Sequence, residues 1–175
     1  MSKEQETTLG ALQTAIKMES DGKTFYLQAS QTSANKMGKQ LLKRLAGEED
    51  IHRKVFENIF KTLSTKKDWP DQKIAFDGGK GLRNVFSQAT EAMSQEAKPI
   101  PSELDAIQTA MTMENKTYDF YKQRSGMASY GAEKEFYEAI AAQEKQHHAI
   151  LLDYYEFLKN PAAWFTQKEH WSIDG

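Results

Sequence analysis

The stretch 42–63, LKRLAGEEDIHRKVFENIFKTL, decides the fold. Taken at alternating steps of three and four it gives Leu42, Leu45, Glu49, His52, Phe56, Ile59 and Leu63. Side chains so spaced on an α-helix form a single stripe, the face that a bundle helix turns inward. This stripe is apolar at both ends and carries a carboxylate and an imidazole in its middle. The stretch 137–158 repeats it, with Tyr137, Ile140, Glu144, His147, Leu151, Tyr154 and Leu158 in the same places 95 residues later.

The repeat extends outward from these two stripes. The same shift of 95 residues superposes Ala15-Ile16-Lys17-Met18-Glu19 on Ala110-Met111-Thr112-Met113-Glu114, and Phe25-Tyr26 on Phe120-Tyr121. Two more stripes follow, Leu12, Ala15, Glu19, Gly22, Tyr26 and Ala29, then Ile107, Ala110, Glu114, Thr117 and Tyr121. One helical hairpin is therefore duplicated, with pseudo-twofold symmetry expected between the halves. Long helices are expected at 5–31, 36–64, 103–127 and 130–159, and alternating β-branched runs of strand type are absent. Ser33, Ala34 and Asn35 join the first pair and Ser125-Gly126 with its neighbours the second, so each pair is an antiparallel hairpin. The expected fold is an all-α antiparallel four-helix bundle over residues 1–160, with a long crossover connection at 65–102. A short helix is expected near 81–96, and Ser102 with Asp105 three positions later reads as the N-cap of the third long helix. The aromatic tail, 161–175, is expected to pack on the bundle or on a second subunit.

Composition limits the chemistry. The chain has 175 residues, 23 Lys+Arg against 25 Asp+Glu, and no Cys. That length suits one domain with a core of its own, and the near-neutral charge gives no general pull toward nucleic acid or anionic lipid. Without Cys there is no thiolate nucleophile, no Cys-ligated zinc or iron and no disulfide, so any metal must use His and carboxylate. No apolar leader or membrane-length apolar run is visible, and a cytoplasmic protein is expected.

Four glutamates at the centres of four inward stripes are costly, because one unpaired buried charge loses several kcal/mol of hydration. No Lys or Arg occupies those central levels. Two divalent cations would neutralise Glu19, Glu49, Glu114 and Glu144, with His52 and His147 completing the ligand set. One Glu-x-x-His is a weak signal. Two at duplicated positions, each with a glutamate 30 residues upstream, form a strong one. Spacing leaves open which carboxylates bridge.

At Glu19-x-x-Gly22-x-x-Phe25-Tyr26, Glu49-Asp50-Ile51-His52, Glu114 with Phe120-Tyr121, and Glu144-Lys145-Gln146-His147, the sequence resembles the rubrerythrin-like members of the ferritin-like superfamily. The likeness covers nearly the whole chain. It implies a ferritin-like bundle and two iron ions, with Glu49 and Glu144 bridging or chelating and Glu19, Glu114, His52 and His147 terminal. Manganese or zinc could occupy the same oxygen and nitrogen ligands. It also implies reduction of hydrogen peroxide or dioxygen, and a homodimer is expected. Rubrerythrins typically append a rubredoxin-like domain whose iron is held by Cys; this chain has none, so electrons would come from an external donor such as a rubredoxin-like protein. They also carry a further carboxylate three residues after the third-helix glutamate, where this chain has Thr117. The two-His, four-Glu set is equally similar to bacterioferritin-type ferroxidase centres, although Asp50 and Ile51 stand where those proteins place a haem-ligating Met. Two alternatives therefore stand beside the oxidoreductase: a ferroxidase or iron-handling protein, and a non-catalytic metal-binding sensor.

Other residues carry weaker expectations. Tyr26 and Tyr121, seven residues after Glu19 and Glu114, are candidates to hydrogen-bond a liganding carboxylate or shuttle an electron, against a plain packing role. Gly22 suggests a close helix approach or an access route. His148 lies off the stripe and is expected to face solvent. Asp77-Gly78-Gly79-Lys80-Gly81 lacks the spacing of a phosphate loop and reads as a turn. Trp164, His170 and Trp171 are assigned no chemistry.

Overall fold

The computed structural model describes residues 3–66, 68–70, 74, 77–91, 101–164 and 166, with backbone alone at 89–91. Four long helices, α1 (Lys3–Thr32), α2 (Lys36–Thr65), α4 (Pro101–Met127) and α5 (Gly131–Lys159), follow the expected segments, and α3 (Lys80–Glu91) is the short helix of the crossover connection. No strand occurs among the described residues. Helix α1 packs along α2, α4 along α5 and α1 against α4, while α3 lies on α2 and α5. This is the expected all-α, ferritin-like arrangement of two hairpins.

Every residue of the four stripes is buried. The apolar ones fall into two clusters. One gathers Leu42, Leu45, Ile107, Leu151, Tyr154 and Leu158 at one end of the bundle. The other gathers Leu12, Phe56, Ile59, Tyr121, Tyr137 and Ile140 at the opposite end. Between them lies a polar layer made of Glu19, Glu49, His52, Glu114, Glu144 and His147.

The hairpin ends are tied by polar contacts. Asn35 caps α2, its side chain accepting from the Gly38 N–H at 2.6 Å. The Ser33 hydroxyl (2.5 Å), the Asn35 amide (3.2 Å) and the Tyr154 hydroxyl (2.6 Å) all donate to Glu103 Oε1, which fastens the first turn to α4 and α5. At the other end Arg124 approaches Glu133 at 3.7 Å, and the Glu133 carboxylate accepts from the Ser129 N–H at 3.1 Å.

The expected start of the third long helix and the expected place of its connection to the fourth are corrected. Helix α4 begins at Pro101, so Ser102 lies in its first turn and is not an N-cap; proline has no N–H to leave unsatisfied and a φ already suited to that position. Helix α4 ends at Met127 as expected, but Ser125 and Gly126 lie within it, and residues 128–130 form the connection. Nothing lies within 4 Å of a Cβ placed on Gly126, so packing demands no turn there.

The glycine cluster is a turn pinned by Asp77. Gly78 and Gly79 have φ of 67° and 75°, and the Asp77 carboxylate accepts from the N–H groups of Gly79 (2.7 Å) and Gly81 (2.9 Å). Trp164 packs edge-on against Phe86 and Phe157 at 5.5 and 5.6 Å, so the start of the tail covers the bundle itself. His170 and Trp171 lie outside the described residues, as does the stretch 92–96 expected to finish the short helix.

Candidate metal centre

Each of the four long helices delivers its glutamate to the polar layer, because the stripe that buries the apolar residues of a helix also buries what interrupts it. Glu19, Glu49, Glu114, Glu144, His52 and His147 are all at most 4% exposed. They form two overlapping groups whose ligand atoms lie within 4.8 Å of one another: Glu19, Glu49, His52 and Glu144, then Glu49, Glu114, Glu144 and His147. Glu49 and Glu144 belong to both. The two imidazoles stack at 5.6 Å with their planes 11° apart.

The inward atoms are chemically mismatched to one another. His52 Nδ1 lies 3.3 Å from Glu19 and 3.2 Å from Glu144; His147 Nδ1 lies 3.0 Å from Glu49 and 3.6 Å from Glu114. Yet Glu19 Oε2, Glu49 Oε1, Glu114 Oε2, Glu144 Oε1 and both Nδ1 atoms are buried without a hydrogen-bond partner. One orphaned electron-pair donor from each of six residues, all facing a shared space, is the environment a pair of cations satisfies. Among the described residues, no Lys or Arg forms an ion pair with any of the six. The donor set is oxygen and imidazole nitrogen, which suits iron, manganese or zinc.

Without cations, protons must supply the missing charge. Burial, then the charges of Glu19, Glu144 and Glu114, pushes the Glu49 pKa well up. Burial with Glu114 and Glu19 pushes Glu144 up to about 8. Burial opposes charging of His52 and His147, but Glu19 and Glu144 beside the first and Glu114, Glu48 and Glu49 beside the second outweigh it, and both pKa values rise well above the ordinary range. Glu19 is the exception: burial pushes it up, but the charge of His52 together with hydrogen bonds to His52, Glu49 and Tyr121 outweighs burial and lowers its pKa.

The surroundings follow the same twofold pattern. The Tyr26 hydroxyl donates to Glu114 Oε1, and the Tyr121 hydroxyl donates to Glu19 Oε1. Each tyrosine thus serves the carboxylate of the opposite hairpin. A Cβ on Gly22 would sit 3.2 Å from Glu49 Oε2, so this glycine gives the carboxylate room. Thr117 spends its hydroxyl on the Met113 carbonyl at 3.0 Å and brings no carboxylate. His148 is half-buried and outside both groups of ligand atoms, and Asp50 faces outward against Lys23, Arg53 and Lys54.

The rubrerythrin family model matches residues 10–155, a span that contains all six residues and most of both hairpins. The chain belongs to the rubrerythrin family. No curated protein and no solved structure gives a significant match. Membership of the rubrerythrin family points to di-iron oxidoreductase chemistry, and the buried Glu and His cluster is where this chain could hold metal. No helix among the described residues is long and apolar enough to cross a membrane.

Two residues of the site escaped the sequence reading. The imidazole Nε2 of His52 lies 3.0 Å from Gln143 Oε1, and that of His147 lies 3.0 Å from Glu48 Oε2. Both partners sit four residues before a histidine of their own helix but bond the histidine of the other hairpin. Helical spacing alone points to the wrong partner, although the shared 95-residue register of Glu48 and Gln143 is visible in the sequence. Outside the imidazoles lies a cavity of about 410 Å³ reached by Glu48, Gln143, Arg44, Ile51 and Leu82.

Proposed function

We propose that this chain is a non-haem di-iron oxidoreductase that reduces hydrogen peroxide, or dioxygen, to water with electrons from a separate donor protein. The observation that carries the reading is the pair of overlapping ligand groups sharing Glu49 and Glu144, each closed by its own terminal glutamate and histidine. Two iron ions, when bound, supply the two electrons that cleave the O–O bond, and two protons complete the conversion of peroxide to two waters. Glu19, Glu49, His52, Glu114, Glu144 and His147 would hold them.

The remaining work belongs to the protein. The apolar clusters above and below the polar layer exclude bulk water, which strengthens every charge interaction within it. Tyr26 and Tyr121 hold their protons, because burial and then the adjacent Glu114 or Glu19 raises each phenol pKa well up. Each hydroxyl therefore stays a donor that fixes one terminal carboxylate. No Cys is present in this sequence to hold a thiolate-bound iron, and the electrons are proposed to come from a separate rubredoxin-like protein.

Thr117 supports a second reading, oxidation and handling of ferrous ion, since the site offers no further carboxylate at that position for ligand exchange. One experiment separates the two. Protein purified without oxygen is loaded with Fe²⁺, and its optical spectrum is followed on mixing with one equivalent of peroxide or of dioxygen. Two iron ions per chain, and oxidation by peroxide faster than by dioxygen by about tenfold or more, with repeated turnover when reductant is present, support the peroxide reading. Preferential oxidation by dioxygen with accumulation of many irons per chain supports the second, and a chain that retains no iron overturns both.

A further inference from the structure

Gln143 and Glu48 occupy the same place in the 95-residue repeat, and the pseudo-twofold symmetry crosses them over. Gln143 on α5 backs His52 on α2, and Glu48 on α2 backs His147 on α5, both at 3.0 Å. The Nδ1 of each ring is turned toward the glutamates. An imidazole that offers its Nδ1 electron pair to a cation keeps its proton on Nε2 and must donate from there. A glutamine oxygen and a carboxylate both accept that proton, so both rings are held in the same tautomer and orientation. They are not held by the same charge.

Glu48 is an anion whose second oxygen is anchored by Arg44 Nε at 3.0 Å. Gln143 is neutral, buried to within 8% of full coverage, and its Nε2 has no partner. An imidazole donating to a carboxylate becomes the more basic ligand, whereas one donating to an amide gains far less. Arg44 offsets part of the Glu48 charge but also fixes the carboxylate so that its other oxygen stays on the ring. The two halves of a duplicated site, alike in all six inward residues, therefore differ at the atom directly behind each histidine.

We infer that Glu48 and Gln143 are positioning residues that make the two metal positions unequal, the one beside His147 and Glu114 binding its cation more tightly than the one beside His52 and Glu19. This rests on the dimetal reading of the site. Redox-inert Zn²⁺ tests it without reference to activity. Metal-free protein carrying ¹⁵N-histidine receives Zn²⁺ in steps, the ring-nitrogen resonances report which histidine is occupied first, and competition with a chromophoric chelator gives the two dissociation constants.

In the wild type His147 responds at the first equivalent and His52 at the second. Glu48→Gln weakens the His147 position by about 10- to 100-fold and leaves the other within about threefold. Gln143→Glu tightens the His52 position, and the double exchange Glu48→Gln with Gln143→Glu reverses the order of filling. Both substitutions are near-isosteric, and far-ultraviolet circular dichroism verifies the fold. Simultaneous filling in the wild type, or equal loss at both positions in Glu48→Gln, overturns the inference while leaving a dimetal site intact. Binding of fewer than two Zn²⁺ overturns the underlying reading instead.

Discussion

Tyr26 and Tyr121 show where reading by residue type succeeds and where it stops. Position on the inward stripe beside a glutamate made a hydrogen bond to a carboxylate of the polar layer foreseeable, but the partner is across the bundle, Glu114 for Tyr26 and Glu19 for Tyr121. Helical spacing reports which residues share a face of one helix and is silent about the facing helix. Removing either hydroxyl strands one oxygen of a buried carboxylate, which costs about 1–3 kcal/mol. Tyr26→Phe and Tyr121→Phe should each lower the melting temperature of the metal-free protein by roughly 2–12 °C, read by calorimetry. Glu49→Gln should behave in the opposite sense at one step. Burial and three neighbouring carboxylates raise the Glu49 pKa, so a neutral amide relieves the metal-free protein and its melting temperature should hold or rise at pH 8. The same change removes a carboxylate common to both groups of candidate ligands, so the stabilisation by added Zn²⁺, about 4 kcal/mol when free metal is a thousandfold above its dissociation constant, should largely vanish.

Glycine on α1 gives a test at the scale of the helix. The stripes were legible as helices because period and burial agree over many turns, and glycine within them invites an explanation. Gly10 and Gly22 both lie inside α1, and either costs up to about 1 kcal/mol relative to Ala in helix propensity. Gly10 is exposed, with nothing within 4 Å of an added Cβ, whereas a Cβ on Gly22 meets Glu49 Oε2 at 3.2 Å. Gly10→Ala should therefore raise the melting temperature by roughly 1–4 °C and leave Zn²⁺ affinity unchanged. Gly22→Ala should shift the Glu49 carboxylate and weaken Zn²⁺ binding severalfold, measured by chelator competition. Equal metal affinity in the two variants would make Gly22 a packing residue only. Helix ends were less legible than helix bodies: Ser102 looked like a cap on residue type, but Pro101 fits the first turn with no N–H to satisfy, and the helix starts there.

Over the whole molecule the duplication was legible, because a shift of 95 residues superposes apolar and acidic positions together. The crossed partners Glu48 and Gln143 depend on how one hairpin sits on the other, which periodicity does not encode. That shared centre also sets how the fold responds to pH. In the unfolded chain Glu144 titrates near 4.5, and in the folded metal-free protein burial with Glu114 and Glu19 moves it up to about 8. Between those values the folded state holds a proton that the unfolded state has lost, so stability falls as pH rises through the window. His52 and His147 act in the same direction: with folded pKa values raised above 6.5, their contribution is complete below that pH and is lost as pH climbs through the folded values. Metal reverses the slope, because ligands must release protons to coordinate and a cation then replaces the protons that offset the carboxylates. Thermal melts in chelator should fall by several degrees between about pH 6 and pH 8.5, while the increment on adding Zn²⁺ grows over the same range. A melting temperature in chelator that is flat or rises would mean that the cluster is already neutralised within the protein, and the need for a pair of cations at its centre would go with it.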